Sequence, residues 1–349
     1  MATLITVGGS SSTGNGTTFG DLIEKVYRRV MGGIRERTVQ LTTAVTDVQF
    51  TIPVNGSQAA SIAPGVILSA ELELMYVTAW DASNLTATVT RGYYGSVPSN
   101  HDAGVIVYLN PRYSRYDIGV AINDDLRDLS SPSNGLFRVD STSIPFNPVF
   151  QGYDLGDLPN NFIDVLSVNF RIAPPTHNFP AIRNWRVQRQ MFSSAGSADS
   201  IFPSGQGIQL YEQGWPGLPM YLMYSAPFIP LVNLTDDVTM TPVSNLAAAD
   251  APYNYKGVVP LVNGVPVQLA NLPSTAIDIP ALGAQIKLME SREIKRNFIE
   301  AQPDSRKATD VPAGATNASF RALQMERQAR IDAEGDRLAR QYNVRLRSW

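Results

Sequence analysis

The chain has 349 residues, with 28 Lys plus Arg against 31 Asp plus Glu, two His and no Cys. The net charge of −3 gives no overall pull towards nucleic acid or anionic lipid, and zero Cys excludes disulfides, cysteine nucleophiles and thiolate metal sites. Two His leave little for a His-based metal centre or triad, and no apolar run approaches the roughly 20 residues of a membrane helix.

Charge is uneven along the chain. Charged residues make up about a tenth of 131–286 and about a third from Lys287 onward. The middle therefore reads as strands and turns, and the end as exposed helices.

Residues 1–18 are Gly/Ser/Thr-rich, lack the blocks of a signal peptide, and are expected to form a flexible arm. Phe19, Leu22, Ile23, Val26, Tyr27, Val30 and Met31 recur at three- and four-residue steps, which predicts an amphipathic helix. Thr18 with Asp21 reads as its capping box and Gly32-Gly33 as its stop.

Residues 38–111 read as a small β-barrel or sandwich. Alternation at Val39/Leu41, Val48/Phe50/Ile52, Leu72/Leu74/Tyr76 and Leu85/Ala87/Val89 marks strands, and Val105 to Leu109 reads as a buried one. A helix follows from Ser114 to Leu129, capped by Ser114 and Asp117, with Ile118, Ala121, Ile122, Leu126 and Leu129 on one face.

Residues 136–240 read as an antiparallel β-sandwich and 241–277 as an extended loop or arm. A third helix opens at Asp278-Ile279-Pro280 and runs to about Glu300. A fourth, from about Asn317 to Tyr342, carries Leu323, Ile331, Leu338 and Tyr342 on one side and would be about 40 Å long. No single helix can bury its face alone, so the expected fold is α+β. Four helices (19–37, 112–135 and 278–342) form a core, and the two β units are insertions into it.

Few motifs suggest chemistry. Gly14-Asn15-Gly16-Thr17-Thr18 lacks the Lys of a phosphate loop and reads as a terminus leading into an N-cap. His101 and His177 sit in turn-like segments without partner ligands. The pairs Asp124-Asp125 and Asp236-Asp237 read as solvated faces or caps. Arg91-Gly92-Tyr93-Tyr94-Gly95-Ser96 with His101 is the most distinctive string, and reads as a fold-defining hairpin whose tyrosines cover the barrel end. From Arg321 onward seven Arg stand against four Asp/Glu, and the tail ends Leu-Arg-Ser-Trp. Arg and Trp are interface-anchoring types, so Arg340, Tyr342, Arg345, Leu346, Arg347 and Trp349 are the candidate partner-binding residues. No catalytic, cofactor or metal-binding set is expected, and the protein is not expected to be an enzyme.

Several strings resemble the head-to-tail adaptor (connector) proteins of tailed bacteriophages. They are VTRGYYGSVPSNHDAGVIVYLNPRYS (89–114), AINDDLRDLSSPSNGLFRV (121–139), APFIPLVNLTDDV (226–238), DIPALGAQIKLMESREIKRNFIEAQPDSRKATDVPAGA (278–315) and RQARIDAEGDRLARQYNVRLR (327–347). The resemblance implies an adaptor-like helical core and a dodecameric ring beneath the portal protein, with residues 343–349 contacting the portal. It implies a virion location at the head–tail interface, after assembly in the bacterial host cytoplasm. Expected neighbours are the next neck or tail-terminator ring and genomic DNA passing through the channel without sequence recognition. No membrane partner is expected. Other neck or tail roles (head completion, tail terminator, minor tail protein) remain alternatives. So does a carbohydrate-binding protein using Trp185, Tyr211, Trp215 and Tyr224, with Asp164 and Glu212 as its only tempting carboxylate pair.

Overall fold

The computed structural model describes residues 19–32, 35–147, 150, 152–156, 158, 161–170, 180–189, 202–211, 219–228, 261–262, 265–266, 272, 275–300 and 315–342. They divide into two compact units, one drawn from Met1–Asp128 and Ile229–Asp332, the other from Leu129–Phe228 and Ala333–Trp349.

The first unit holds a closed barrel. Its strands are β1 (Arg37–Leu41), β2 (Thr51–Asn55), β3 (Ile67–Ala70), β4 (Glu73–Asp81), β5 (Thr86–Thr90) and β6 (Ile106–Leu109), in the order β1-β2-β5-β4-β3-β6. Every pairing is antiparallel, and closure between β6 and β1 leaves no open edge. Val39, Ile52, Leu68, Met75, Val77, Ala87 and Val107 fill it, each at most 2% exposed. Two of the alternations place residues differently from the sequence reading. Val48 and Phe50 precede β2 and are exposed, and in β4 it is Met75 and Val77 that join the barrel core, with Glu73 buried at the head of the strand. β6 is half-buried, since Ile106 faces out.

Helices α1 (Phe19–Met31), α2 (Arg115–Leu129) and α3 (Ile279–Glu300) accompany the barrel. In α1 the stripe of Leu22, Ile23 and Val26 is fully buried, and Gly32 ends the helix at φ +54°. At the start of α2, the Asp117 N–H donates to Ser114 Oγ (2.9 Å) and Ser114 Oγ donates to Asp117 (2.7 Å). Arg115 joins helices to barrel: Nε donates to Glu24 on α1 at 2.6 Å, and its guanidinium lies 4.5 Å from the Tyr27 ring and 4.1 Å from the Tyr108 ring. α1 packs along α3, which is buried almost all round its first two turns.

The second unit is a pair of sheets. β7 (Arg138–Pro145), β9 (Asp164–Phe170), β10 (Ala181–Ile182) and β13 (Pro219–Ala226) form one, in the order β10-β9-β13-β7. β8 (Gly152–Asp154), β11 (Trp185–Arg189) and β12 (Gln206–Leu210) form the other, in the order β11-β12-β8. They share one apolar core, to which the central strand β13 gives Met220, Leu222, Tyr224 and Ala226. β14 (Leu261–Val262) and β15 (Val265–Pro266) pair within the stretch expected to be an extended arm.

The expected helical core with inserted β units is not what the chain builds. The chain builds a closed barrel and separate sheets that have their own cores, and the helices do not dominate it. The physical reason lies in α4 (Ala315–Gln341): it is polar, and among its described side chains only Ile331, Glu334 and Leu338 are buried. A helix with so little apolar surface cannot complete a bundle. Its residues also divide between the two units.

Leu222 is fully buried in β13, so Leu222→Ala is expected to cost about 2–5 kcal/mol, read as a lower urea midpoint with unchanged slope.

Candidate functional site

One end of the barrel is closed by a buried ionic cluster. Glu73 (0% exposed) sits at the start of β4, Arg91 (8%) just after β5, and His101 (1%) before β6. Arg91 grips Glu73 with two bonds, Nε to Oε1 at 2.5 Å and Nη2 to Oε2 at 2.6 Å. Its remaining N–H groups donate to the carbonyls of Thr46 (2.7 Å), Gln49 (2.9 Å) and Ser99 (2.6 Å). All five guanidinium donors are thus engaged. Glu73 also accepts from the Ser99 N–H at 3.0 Å and the Gly92 N–H at 3.3 Å.

His101 lies between two carboxylates, with Nδ1 2.9 Å from Glu71 and Nε2 2.9 Å from Glu73. Ionised carboxylates only accept, so both ring nitrogens must donate, which requires the imidazolium. Two anions then balance two cations. Burial alone would lower the His101 pKa, but its bonds to Glu71 and Glu73 outweigh this and raise it. Burial likewise works against the Glu73 carboxylate, and Arg91 and His101 more than compensate, holding its pKa below the ordinary range.

The cluster fixes two loops. Val45 and His101 exchange backbone bonds at 2.8 Å each way, and the Asp47 N–H donates to Asn100 at 2.8 Å. Glu71 occupies the β3–β4 turn at φ +50°, a conformation that favours Gly or Asn, and its bond to His101 helps hold it there. In the loop after β5, Gly92 (φ +66°), Tyr94 (φ +53°) and Gly95 (φ +81°) are left-handed. A Cβ on Gly92 would press on the Ser96 carbonyl at 3.0 Å and on Pro98. The ring of Tyr93 lies 5.1 Å from Tyr76 and 4.3 Å from Tyr94. Held on these loops, Val48 (72%), Phe50 (61%), Tyr94 (70%) and Val97 (65%) project into solvent. Large apolar side chains on a rigid support suit a contact surface. The buried charges beneath them are covered and mutually satisfied, so they hold shape and present nothing to a substrate.

Tyr94 therefore does not cover the barrel end as the sequence suggested; Tyr93 is the tyrosine that packs inward. The Gly positions of this string were legible. The partners of His101 were not, because Glu71 and Glu73 lie about 30 residues away.

At the other predicted site, Arg340 is exposed at the end of α4 and Tyr342 is half-buried. Arg345, Leu346, Arg347 and Trp349 lie outside the described residues, as do Gly14 to Thr18, His177 and Asp236-Asp237. Three arginines of α4 pair within the chain: Arg327 with Asp125 and Asp128, Arg330 with Asp278, and Arg337 with Glu334. Asp124 is solvated and pairs with Arg127, but Asp125 is buried, contrary to the reading of that pair as a solvated face. The aromatic set is not gathered on one platform. Tyr224 lies in the core, Trp185 packs against it half-buried, Tyr211 is 63% exposed, and Trp215 and Glu212 are outside the described residues. Asp164 is exposed at the start of β9.

No family model and no curated protein matches the chain. Among the described residues, no helix is long and apolar enough to cross a membrane.

Arg91→Met should cost about 3–5 kcal/mol in urea unfolding, because it leaves Glu73 buried without its partner; Glu73→Gln combined with Arg91→Met should cost less than the single change. The raised His101 pKa contributes stability that is complete below the ordinary histidine value and lost as pH rises through the folded value. The lowered Glu73 pKa contributes stability that is complete above the ordinary carboxylate value and lost as pH falls. The cluster should therefore stabilise most between about pH 4.3 and 6.5, and His101→Gln should flatten the alkaline side of the stability profile.

Proposed function

We propose that the protein is a structural subunit of the neck of a tailed-phage virion: a head-to-tail adaptor forming a closed, dodecameric ring between portal and tail, around the channel through which DNA passes. Four features support this reading. The sequence strings that resemble adaptors are distributed between residues 89 and 347 and make up about a third of the chain. A long helix, α4, remains largely solvated and carries exposed Arg340 in its last turn, shortly before the basic segment Asn343 to Trp349. The barrel rim offers apolar side chains on fixed loops. The described acid–base groups at that rim are arranged to hold shape.

The exposed, Arg-bearing end of α4 carries the proposal. A helix whose last three residues, Ala339 to Gln341, are exposed and are followed by Arg and Trp anchors suits docking on a second ring. Each weak contact is multiplied by the ring's symmetry. The corrected architecture moves lateral packing away from a helical core. Contacts between neighbouring subunits fall instead to the β units, with the rim of Val48, Phe50, Tyr94 and Val97 as one such surface.

Electron microscopy of the purified protein, alone and mixed with portal, tests the reading. A twelvefold ring that stacks on portal is expected, while a monomer that ignores portal counts against it. A ring that binds only tail components would move the protein to another neck position. Deleting residues 341–349 should leave a folded subunit that no longer docks on portal; unimpaired docking would refute the role given to the tail.

A further inference from the structure

A second buried carboxylate, apart from the barrel rim, lies where three helices of the first unit meet. Asp125 of α2 is 1% exposed. It sits against Gly283 of α3 so closely that a Cβ there would overlap the carboxylate. Oδ1 is 2.8 Å from Arg327 Nη2 of α4, which also reaches Asp128 at 2.8 Å. Among the described residues, Asp125 Oδ2 and Arg327 Nε have no hydrogen-bond partner. The other charges acting on the site are Lys287 of α3, which favours the carboxylate, and Asp128 of α2, which opposes it.

The stretch of α4 that meets this site has little else to hold it. From residue 320 to 332, Ile331 is the one buried side chain. Phe320 and Leu323 are half-buried, and Arg330 Nη2 donates to Asp278 at 2.9 Å and to the Thr275 carbonyl at 2.6 Å. The seating of this stretch thus depends heavily on one carboxylate that is dry and only partly satisfied.

We propose that the Asp125–Arg327 contact over Gly283 is a proton-controlled latch: uptake of a proton by Asp125 tightens the seating of α4 residues 320–332 on α2 and α3, and its loss loosens it. An ionised carboxylate with an unfilled acceptor position is costly where water cannot reach it, and unseating α4 restores water. Burial, offset only in part by Arg327 and Lys287, lifts the Asp125 carboxyl to about 6, whereas a hydrated Asp titrates near about 3.9. The seated helix therefore holds the proton more tightly than the loosened one. Linkage then strengthens seating about tenfold between pH 7 and pH 5. A simple surface ion pair would respond in the opposite direction.

Amide hydrogen exchange of the full chain decides between these, with each rate referred to the unstructured-chain rate at the same pH. Protection of residues 320–332 should rise about tenfold from pH 7 to pH 5, and β4 in the barrel serves as the reference for overall folding. Asp125→Asn keeps the shape without the charge and should give equal protection at both pH values. Gly283→Ala should displace the carboxylate, lower protection at both and remove the pH dependence. Wild-type protection that is unchanged or falls towards pH 5 overturns the proposal. So does a rise of equal size in Asp125→Asn, which would assign the effect to another group such as His101. If either variant does not fold, the other and the wild-type profile still decide.

Discussion

Glu73 and Arg91 meet at the end of the barrel where water does not reach, and much of the first unit depends on that meeting. Neither charge could be buried alone. Taking a carboxylate or guanidinium out of water costs several kcal/mol unless the partner and the remaining hydrogen bonds are all supplied. Here they are, by one side chain after β5, by His101, and by backbone groups of two loops. The same bonds that make the burial tolerable also determine where the chain goes between β1 and β2 and between β5 and β6. A rigid rim is therefore a consequence of having put charge in the core.

The rim and the helix junction handle buried charge in opposite ways. Around Glu73 the acceptors are filled, and its pKa is driven down despite burial. Around Asp125 one oxygen has no partner among the described residues, and burial dominates over Arg327. The first arrangement is a fixed part of the barrel. The second leaves a group whose charge changes near neutral pH, at the foot of a helix that buries few apolar side chains.

Much of the local structure was legible because it follows from near-neighbour physics. The α1 stripe, the Ser114–Asp117 cap, the Gly32 stop and the left-handed glycines at 92 and 95 each rest on residues within a few positions of one another. At the head of β4, Leu72 and Leu74 are buried as their alternation suggests, but the opposite face with Glu73, Met75 and Val77 is buried too, and that was not legible for a specific reason. Leu72-Glu73-Leu74-Met75 alternates both ways, and an acidic residue is ordinarily assigned to solvent. Only the distant Arg91 and His101 make the other register tolerable. Val48 and Phe50 fit an alternation with Ile52, yet they lie in the loop before β2, whose course Arg91 helps set through its bonds to Thr46 and Gln49.

The sequence by itself determined where the four helices lie and where most of the strands lie, the contrast between a charge-poor middle and an Arg-rich end, and the lack of thiol chemistry. These depend on composition and short-range periodicity. Tertiary structure alone decided that the β units have cores of their own and that no helical core dominates the fold, since that depends on how much apolar surface each helix finds a partner for. It also decided that Glu73, His101 and Asp125 are buried. The sign of a residue's charge is written in the chain, but the free energy of burying it is set by partners that lie far away along it.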